Sequence, residues 1–131
     1  MGYPTKNCIV LVVEDEALVR VAAVNVLEAH GYGVLQAANS SEALNLIEDR
    51  SDVWTLFSDI DMPGGVSGLI LAQEVRRRHP TTHIILTSGK IFPVGGDMPA
   101  HGLFIGKPYC IDDVSTTIDD LYAKDHTPLA A

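Results

Sequence analysis

Apolar and polar positions along this chain fall into blocks, and the blocks alternate between two periods. Residues 8–13 (Cys-Ile-Val-Leu-Val-Val) form an unbroken apolar run, the pattern of a central strand buried on both faces. Residues 16–30 then carry a helical repeat, with Val19, Ala22, Ala23, Val26 and Leu27 at i, i+3, i+4, i+7 and i+8. His30-Gly31 closes that helix. Val34–Ala38 reads as a second strand, and Asn39 followed by Glu42 opens a helix over roughly 40–49 with a capping-box spacing. Trp54–Asp59 is the third strand, and Met62-Pro63-Gly64-Gly65 is a turn after it. Ser67 caps a helix that runs to about His79, where Pro80 ends it. His83–Thr87 and Leu103–Lys107 are the last two strands, Asp112–Lys124 the last helix, and Asp125–Ala131 a frayed tail.

The rhythm breaks once. Between Thr87 and Leu103, where another crossover helix belongs, Pro93, Gly95, Gly96 and Pro99 oppose a regular helix. The expectation there is a loop with at most one helical turn. Five strands alternating with helices make this one α/β domain over 1–131, with its core at about 7–124 and no internal repeat or linker.

Composition narrows the functions available. The chain is 47% hydrophobic and 20% charged, ordinary for a globular domain. A net charge of -8 argues against direct nucleic-acid binding, which normally needs a basic face. The one basic cluster, Arg76-Arg77-Arg78-His79, ends a predicted helix and complements its dipole. No apolar run is long enough to span a bilayer, and the N-terminus lacks a signal-peptide form, so a cytoplasmic location without membrane contact is expected. Cys8 starts the first strand and Cys110 follows the last, at opposite ends of a parallel sheet. That excludes a disulfide and predicts two buried or half-buried thiols.

Chemistry concentrates at the strand ends. Glu14-Asp15, Asp59-Ile60-Asp61, Thr87-Ser88 and Lys107-Pro108 each follow an apolar run. In a parallel sheet those ends line one edge, where α/β proteins place their ligand site. Adjacent acids with a third nearby raise one another's proton affinity unless a cation joins them. Mg²⁺ suits such a set, being held by one or two carboxylates, waters and a phosphate. Asp59 is the natural nucleophile, since a carboxylate can accept a phosphoryl group as an acyl phosphate. Lys107 supplies a fixed cation and Thr87 a hydroxyl donor for the phosphoryl oxygens, while Ser88 and Gly89 are small enough for close backbone approach.

This ordered set, acid pair, acid, hydroxyl and lysine, resembles the receiver domain of bacterial two-component response regulators over roughly residues 7–124. The resemblance implies a flavodoxin-like doubly wound fold with strand order 2-1-3-4-5, its fourth helix here short or replaced by a loop. It implies that Asp59 is the phosphoacceptor, that Glu14, Asp15, Asp59 and the backbone carbonyl of Asp61 hold Mg²⁺, and that Thr87 and Phe104 form the switch. Lys107-Pro108 would carry a cis peptide. The implied partners are a sensor histidine kinase or histidine phosphotransfer protein and a downstream protein. The implied function is a phosphorylation-dependent switch, not a turnover enzyme. Departures from the family pattern are Glu14 as the first acid, one extra residue in the Met62–Gly68 turn, Asp61 two residues after Asp59, and the missing fourth helix.

Two alternatives stand beside that reading. One is a pseudo-receiver that only binds protein. The other is a haloacid-dehalogenase-type phosphatase, whose nucleophile loop Ser58-Asp59-Ile60-Asp61 also resembles, although that family places the loop in its first strand. The five histidines (His30, His79, His83, His101 and His126) have no metal-like spacing, and Trp54 reads as packing. On the first helix, Leu18, Val21 and Val24 form an outward apolar line, the candidate contact for a kinase or a homodimer partner.

Overall fold

A computed structural model describes residues 4–63, 65–90, 93 and 95–127. The expected turn at Gly64, the loop at Ile91, Phe92 and Val94, and the tail at 128–131 fall at least partly outside these residues. The elements run β1 (Ile9–Val13), α1 (Ala17–Ala29), β2 (Gly33–Ala37), α2 (Ser40–Ile47), β3 (Val53–Asp59), α3 (Gly68–Arg78), β4 (His83–Ser88), β5 (Leu103–Gly106) and α4 (Ile111–Asp125). All five strands are parallel, in the order β2-β1-β3-β4-β5. A parallel sheet needs a crossover between successive strands, so helices cover both faces. This explains the unbroken apolar run in β1. Leu11 and Val13 face α2 and α3, in one core with Ile47, Leu71 and Val75, while Val10 and Val12 face α1 and α4, in a second core with Leu27, Val114 and Ile118.

Local chemistry sets the helix starts. The Asn39 side chain accepts from the Glu42 amide at 2.9 Å, and the Glu42 carboxylate reaches back to the Ala38 amide at 3.1 Å. Reciprocal capping of this kind contributes about 1 kcal/mol. Ser67 accepts from the Ile70 amide at 3.4 Å, a longer and weaker cap on α3. At the other end of α3, Arg77 and Arg78 pair with Glu74, whereas Arg76 Nη1 donates to the carbonyls of Pro80 and Thr82. The basic run therefore acts mainly through specific bonds, beyond its complement to the dipole.

Between β4 and β5 the described residues hold a single 3₁₀ turn, Gly95–Asp97, in agreement with the expected loss of a helix. Gln73 of α3 donates to the Asp97 carbonyl at 3.0 Å and ties that turn down. Three expectations need correction. Val24 is buried, not outward, because α4 lies beside α1 and widens the sector that α1 buries; Ala22 is exposed instead. Leu18 and Val21 do remain outward, at 87% and 46% exposure. Cys110 is exposed rather than half-buried, since it is the first, non-helical residue ahead of α4. The last helix includes Asp125, so no frayed tail begins there.

The end of the sheet away from the strand C-termini is closed by aromatic and acidic groups. Tyr32 stacks on Trp54 with ring centroids 5.7 Å apart, and Trp54 Nε1 donates to Asp125 of α4 at 2.7 Å. His83 meets the same carboxylate at 2.8 Å, while Tyr32 donates to Asp119 at 2.6 Å. These bonds fasten α4 to β3, β4 and the residue that leads into β2. No described helix is long and apolar enough to cross a membrane.

Candidate functional site

Four of the five strands deliver parts of the cleft at the sheet's C-terminal edge. Glu14 and Asp15 follow β1, Asp59 ends β3, Thr87 is the penultimate residue of β4, and Lys107 follows β5. Asp59 and Thr87 are register partners in neighbouring strands, and the Ile60 amide donates to the Thr87 carbonyl at 2.9 Å. Glu14 and Asp59 are buried, at 4% and 3% exposure, while Asp15 is exposed at the mouth. One oxygen from each of these three carboxylates lies within 4.8 Å of the other two. Lys107 Nζ donates to Asp59 Oδ2 at 2.8 Å and stands 3.9 Å from Glu14 Oε2. Lys107-Pro108 is cis. The cleft, about 520 Å³, is lined by Asp15, Asp59, Asp61, Lys90 and Lys107 among others.

Electrostatics follow from that crowding. Burial first, and Asp59 second, push the Glu14 carboxyl up from 4.5 to about 7, with Lys107 pulling the other way. Burial works against the Lys107 charge, but its bond to Asp59 and the nearby Glu14 prevail and hold its pKa above the ordinary lysine value. One cation thus serves two buried acids, and a third stands beside them. The arrangement is short of positive charge, which a divalent ion held by Glu14, Asp15 and Asp59 would provide. Thr87 Oγ1 is buried and has no hydrogen-bond partner among the described residues. An orphaned buried hydroxyl costs about 1–3 kcal/mol unless something accepts from it, and a phosphoryl oxygen would. The residues present therefore fit both a divalent cation and a phosphoryl group.

The raised carboxyl gives a pH prediction. Between 4.5 and about 7 the folded chain holds a proton on Glu14 that the unfolded chain has already released, so stability falls as pH rises. In chelator, urea unfolding should yield a loss on the order of 2 kcal/mol from this residue between about pH 5 and pH 8. Glu14→Gln should flatten that loss. An equal pH slope in both proteins would contradict it.

Asp61 is positioned differently from the other acids. Its amide donates to Asp59 Oδ1 at 3.1 Å, but its carboxylate turns aside to accept from the Ser88 hydroxyl. Ser88, read in the sequence only as small, is thus a partner of Asp61. Phe104 on β5 is half-buried against the core beneath α2 and α3. Gly68, at the start of α3, was not legible as a site residue. A Cβ there would stand 2.1 Å from the Asp59 carbonyl oxygen, so only glycine lets the helix approach the strand that ends in the acid.

A family model for the response regulator receiver domain matches residues 10–93. The chain belongs to that family. Receiver domains are the signalling switches of two-component systems, and the fold and strand order described above are theirs. This receiver is similar to sensor kinase CckA of Brucella abortus (strain 2308), with 34% identity over 119 residues, 88% of this chain. It spans only 12% of that kinase's length. The crystal structure of the CckA receiver domain superposes with a TM-score of 0.74 at 32% identity, covering 86% of this chain and 96% of the other. TrrA of Thermotoga maritima, solved in complex with Mg²⁺-BeF, gives a TM-score of 0.76 at 28% identity, with 87% and 98% covered. TrrA has also been crystallised with the histidine kinase ThkA.

Proposed function

We propose that this receiver is switched by phosphorylation of Asp59, the phosphoryl group coming from a histidine kinase or histidine phosphotransfer protein with Mg²⁺ bound. The observation that carries this is the contact of Lys107 Nζ with Asp59 Oδ2 at 2.8 Å, beside two further carboxylates within 4.8 Å. A carboxylate oxygen of Asp59 attacks phosphorus, the bond from phosphorus to the donor's imidazole nitrogen breaks, and the imidazole departs with that electron pair. Asp15, Asp59 and the Asp61 carbonyl would hold Mg²⁺ directly, with Glu14 reaching it through water. The ion supplies positive charge to the phosphoryl oxygens. Lys107 neutralises another of those oxygens. Thr87 Oγ1 donates to a third, which satisfies its buried hydroxyl.

Satisfying Thr87 biases one of two arrangements of β4 and its loop, and Phe104 on the neighbouring strand follows; this is the switch. The complex of TrrA with ThkA supports a kinase as partner here, and a cytoplasmic location belongs to the same proposal. Leu18 and Val21 on α1 offer the donor an apolar foothold. Nothing in this chemistry calls for turnover of a substrate.

The test is incubation with acetyl phosphate and Mg²⁺, followed by intact-mass measurement. Wild type should gain one phosphoryl group and lose it slowly, and Asp59→Asn should gain none. Continuous release of inorganic phosphate would point to a phosphatase. No adduct on wild type, even with a donor kinase, would point to a module that only binds protein.

A further inference from the structure

Two of the three converging carboxylates sit on the short loop between β1 and α1, and α1 starts without a side-chain cap at Glu16. Something else must hold that loop still. The Glu14 carboxylate accepts from the Glu16 amide at 3.2 Å, and the Glu14 amide donates to the Ala37 carbonyl at 3.1 Å. The Glu14 carbonyl is held from α1. Arg20 turns back along the helix so that Nη1 donates to that carbonyl at 2.7 Å while Nε donates to Gln36 Oε1 of β2 at 3.1 Å. One rigid, planar guanidinium therefore joins the end of β1, the first turns of α1 and the edge strand β2.

The choice of acceptors matters as much as the reach. Arg20 bonds a backbone carbonyl and a neutral amide, and leaves the Glu14 and Asp15 carboxylates to whatever enters the cleft. An arginine paired with those carboxylates would compete with a divalent ion. This one braces the peptide that links them.

We propose that Arg20 is a positioning residue for the divalent-ion site, braced in turn by Gln36. The proposal rests on the reading of Glu14, Asp15 and Asp59 as ion ligands. Lysine at position 20 could keep a donor on the Glu14 carbonyl, but as a point charge on a flexible stem it could not hold the two-pronged geometry.

Titration calorimetry with Mg²⁺ alone on the full chain tests this, paired with thermal unfolding in chelator. Supporting groups of this kind typically change metal affinity by 10–100-fold, so Arg20→Ala should weaken Mg²⁺ binding by about tenfold. Arg20→Lys should lose roughly threefold, and Gln36→Ala about as much. Labelling of Arg20→Ala by acetyl phosphate should return to near the wild-type rate once Mg²⁺ saturates, which a general loss of structure would not permit. Wild-type Mg²⁺ affinity in Arg20→Ala overturns the proposal. Should Arg20→Ala fail to fold, wild-type affinity in both Arg20→Lys and Gln36→Ala overturns it instead. A wild-type chain that takes up no Mg²⁺ removes the ion-site reading itself and this proposal with it, so the two failures are told apart.

Discussion

Gly68→Ala should lower the stability of the domain by about 3 kcal/mol, the upper part of the range for overpacking, and slow phosphoryl acceptance at Asp59 with it. The added methyl would lie 2.1 Å from the Asp59 carbonyl oxygen and 2.8 Å from the Ile60 Cα, both backbone atoms that cannot rotate away. The next peptide is tied to the helix, since the Gly68 amide donates to the Ile60 carbonyl at 3.1 Å. Relief therefore requires α3 to slide outward or the end of β3 to move. Because the Gly68–Ile60 bond couples the helix to the strand, either shift is expected to disturb the strand end that carries the Asp59 carboxylate. Urea unfolding and timed labelling with acetyl phosphate measure the two effects. Stability within about 1 kcal/mol of wild type, with unchanged labelling, would mean that the start of α3 yields without disturbing the strand.

Lys107→Ala should produce the larger functional loss. Removing a preorganised charge from a buried reaction site typically costs about 10²–10³-fold in rate, and labelling of Asp59 should fall by that order. Stability should fall as well. Lys107 is bonded to buried Asp59 and stands 3.9 Å from buried Glu14, but its side chain is 30% exposed, so the loss should fall below the roughly 3–5 kcal/mol of a fully buried pair. The two effects should separate on adding Mg²⁺. The ion can take over the neutralisation of the carboxylates and restore most of the stability, but it cannot occupy the lysine's place against the phosphoryl group. Thermal unfolding with and without Mg²⁺, beside the labelling rate, checks this. Recovery of both together would mean that Lys107 serves only as a counter-ion.

How far the sequence could be read depended on the range of the interactions involved. The helix starts at Asn39 and Ser67, the stop at Pro80 and the loss of a helix around Pro93 and Pro99 are local events, and the structure matches them within a residue or two. The period of β1 was equally legible, because burial on two faces leaves its mark on every position. The acids, hydroxyl and lysine could be grouped because parallel strands bring their C-termini to one edge. What stayed hidden depends on a second element. Val24 turns inward because α4 packs beside α1, and nothing within α1 records that neighbour. Gly68 resembles any turn glycine until the Asp59 carbonyl is found against it. The Arg20 brace joins positions separated by six and sixteen residues, and no periodicity of a single element links them.

The aromatic closure at the far end of the sheet has a practical consequence. Trp54 is the chain's one tryptophan and occupies the second position of β3, while Asp59 occupies the last. Five residues of extended strand place the indole about 17 Å from the acid. An ion or phosphoryl group at Asp59 therefore lies beyond contact quenching of the indole. Intrinsic fluorescence will instead follow the seating of α4, through the bond to Asp125. The domain thus carries an optical gauge of its own intactness that is blind to the occupancy of its cleft, and a fluorescence change on phosphorylation would mean that the signal had travelled the length of β3.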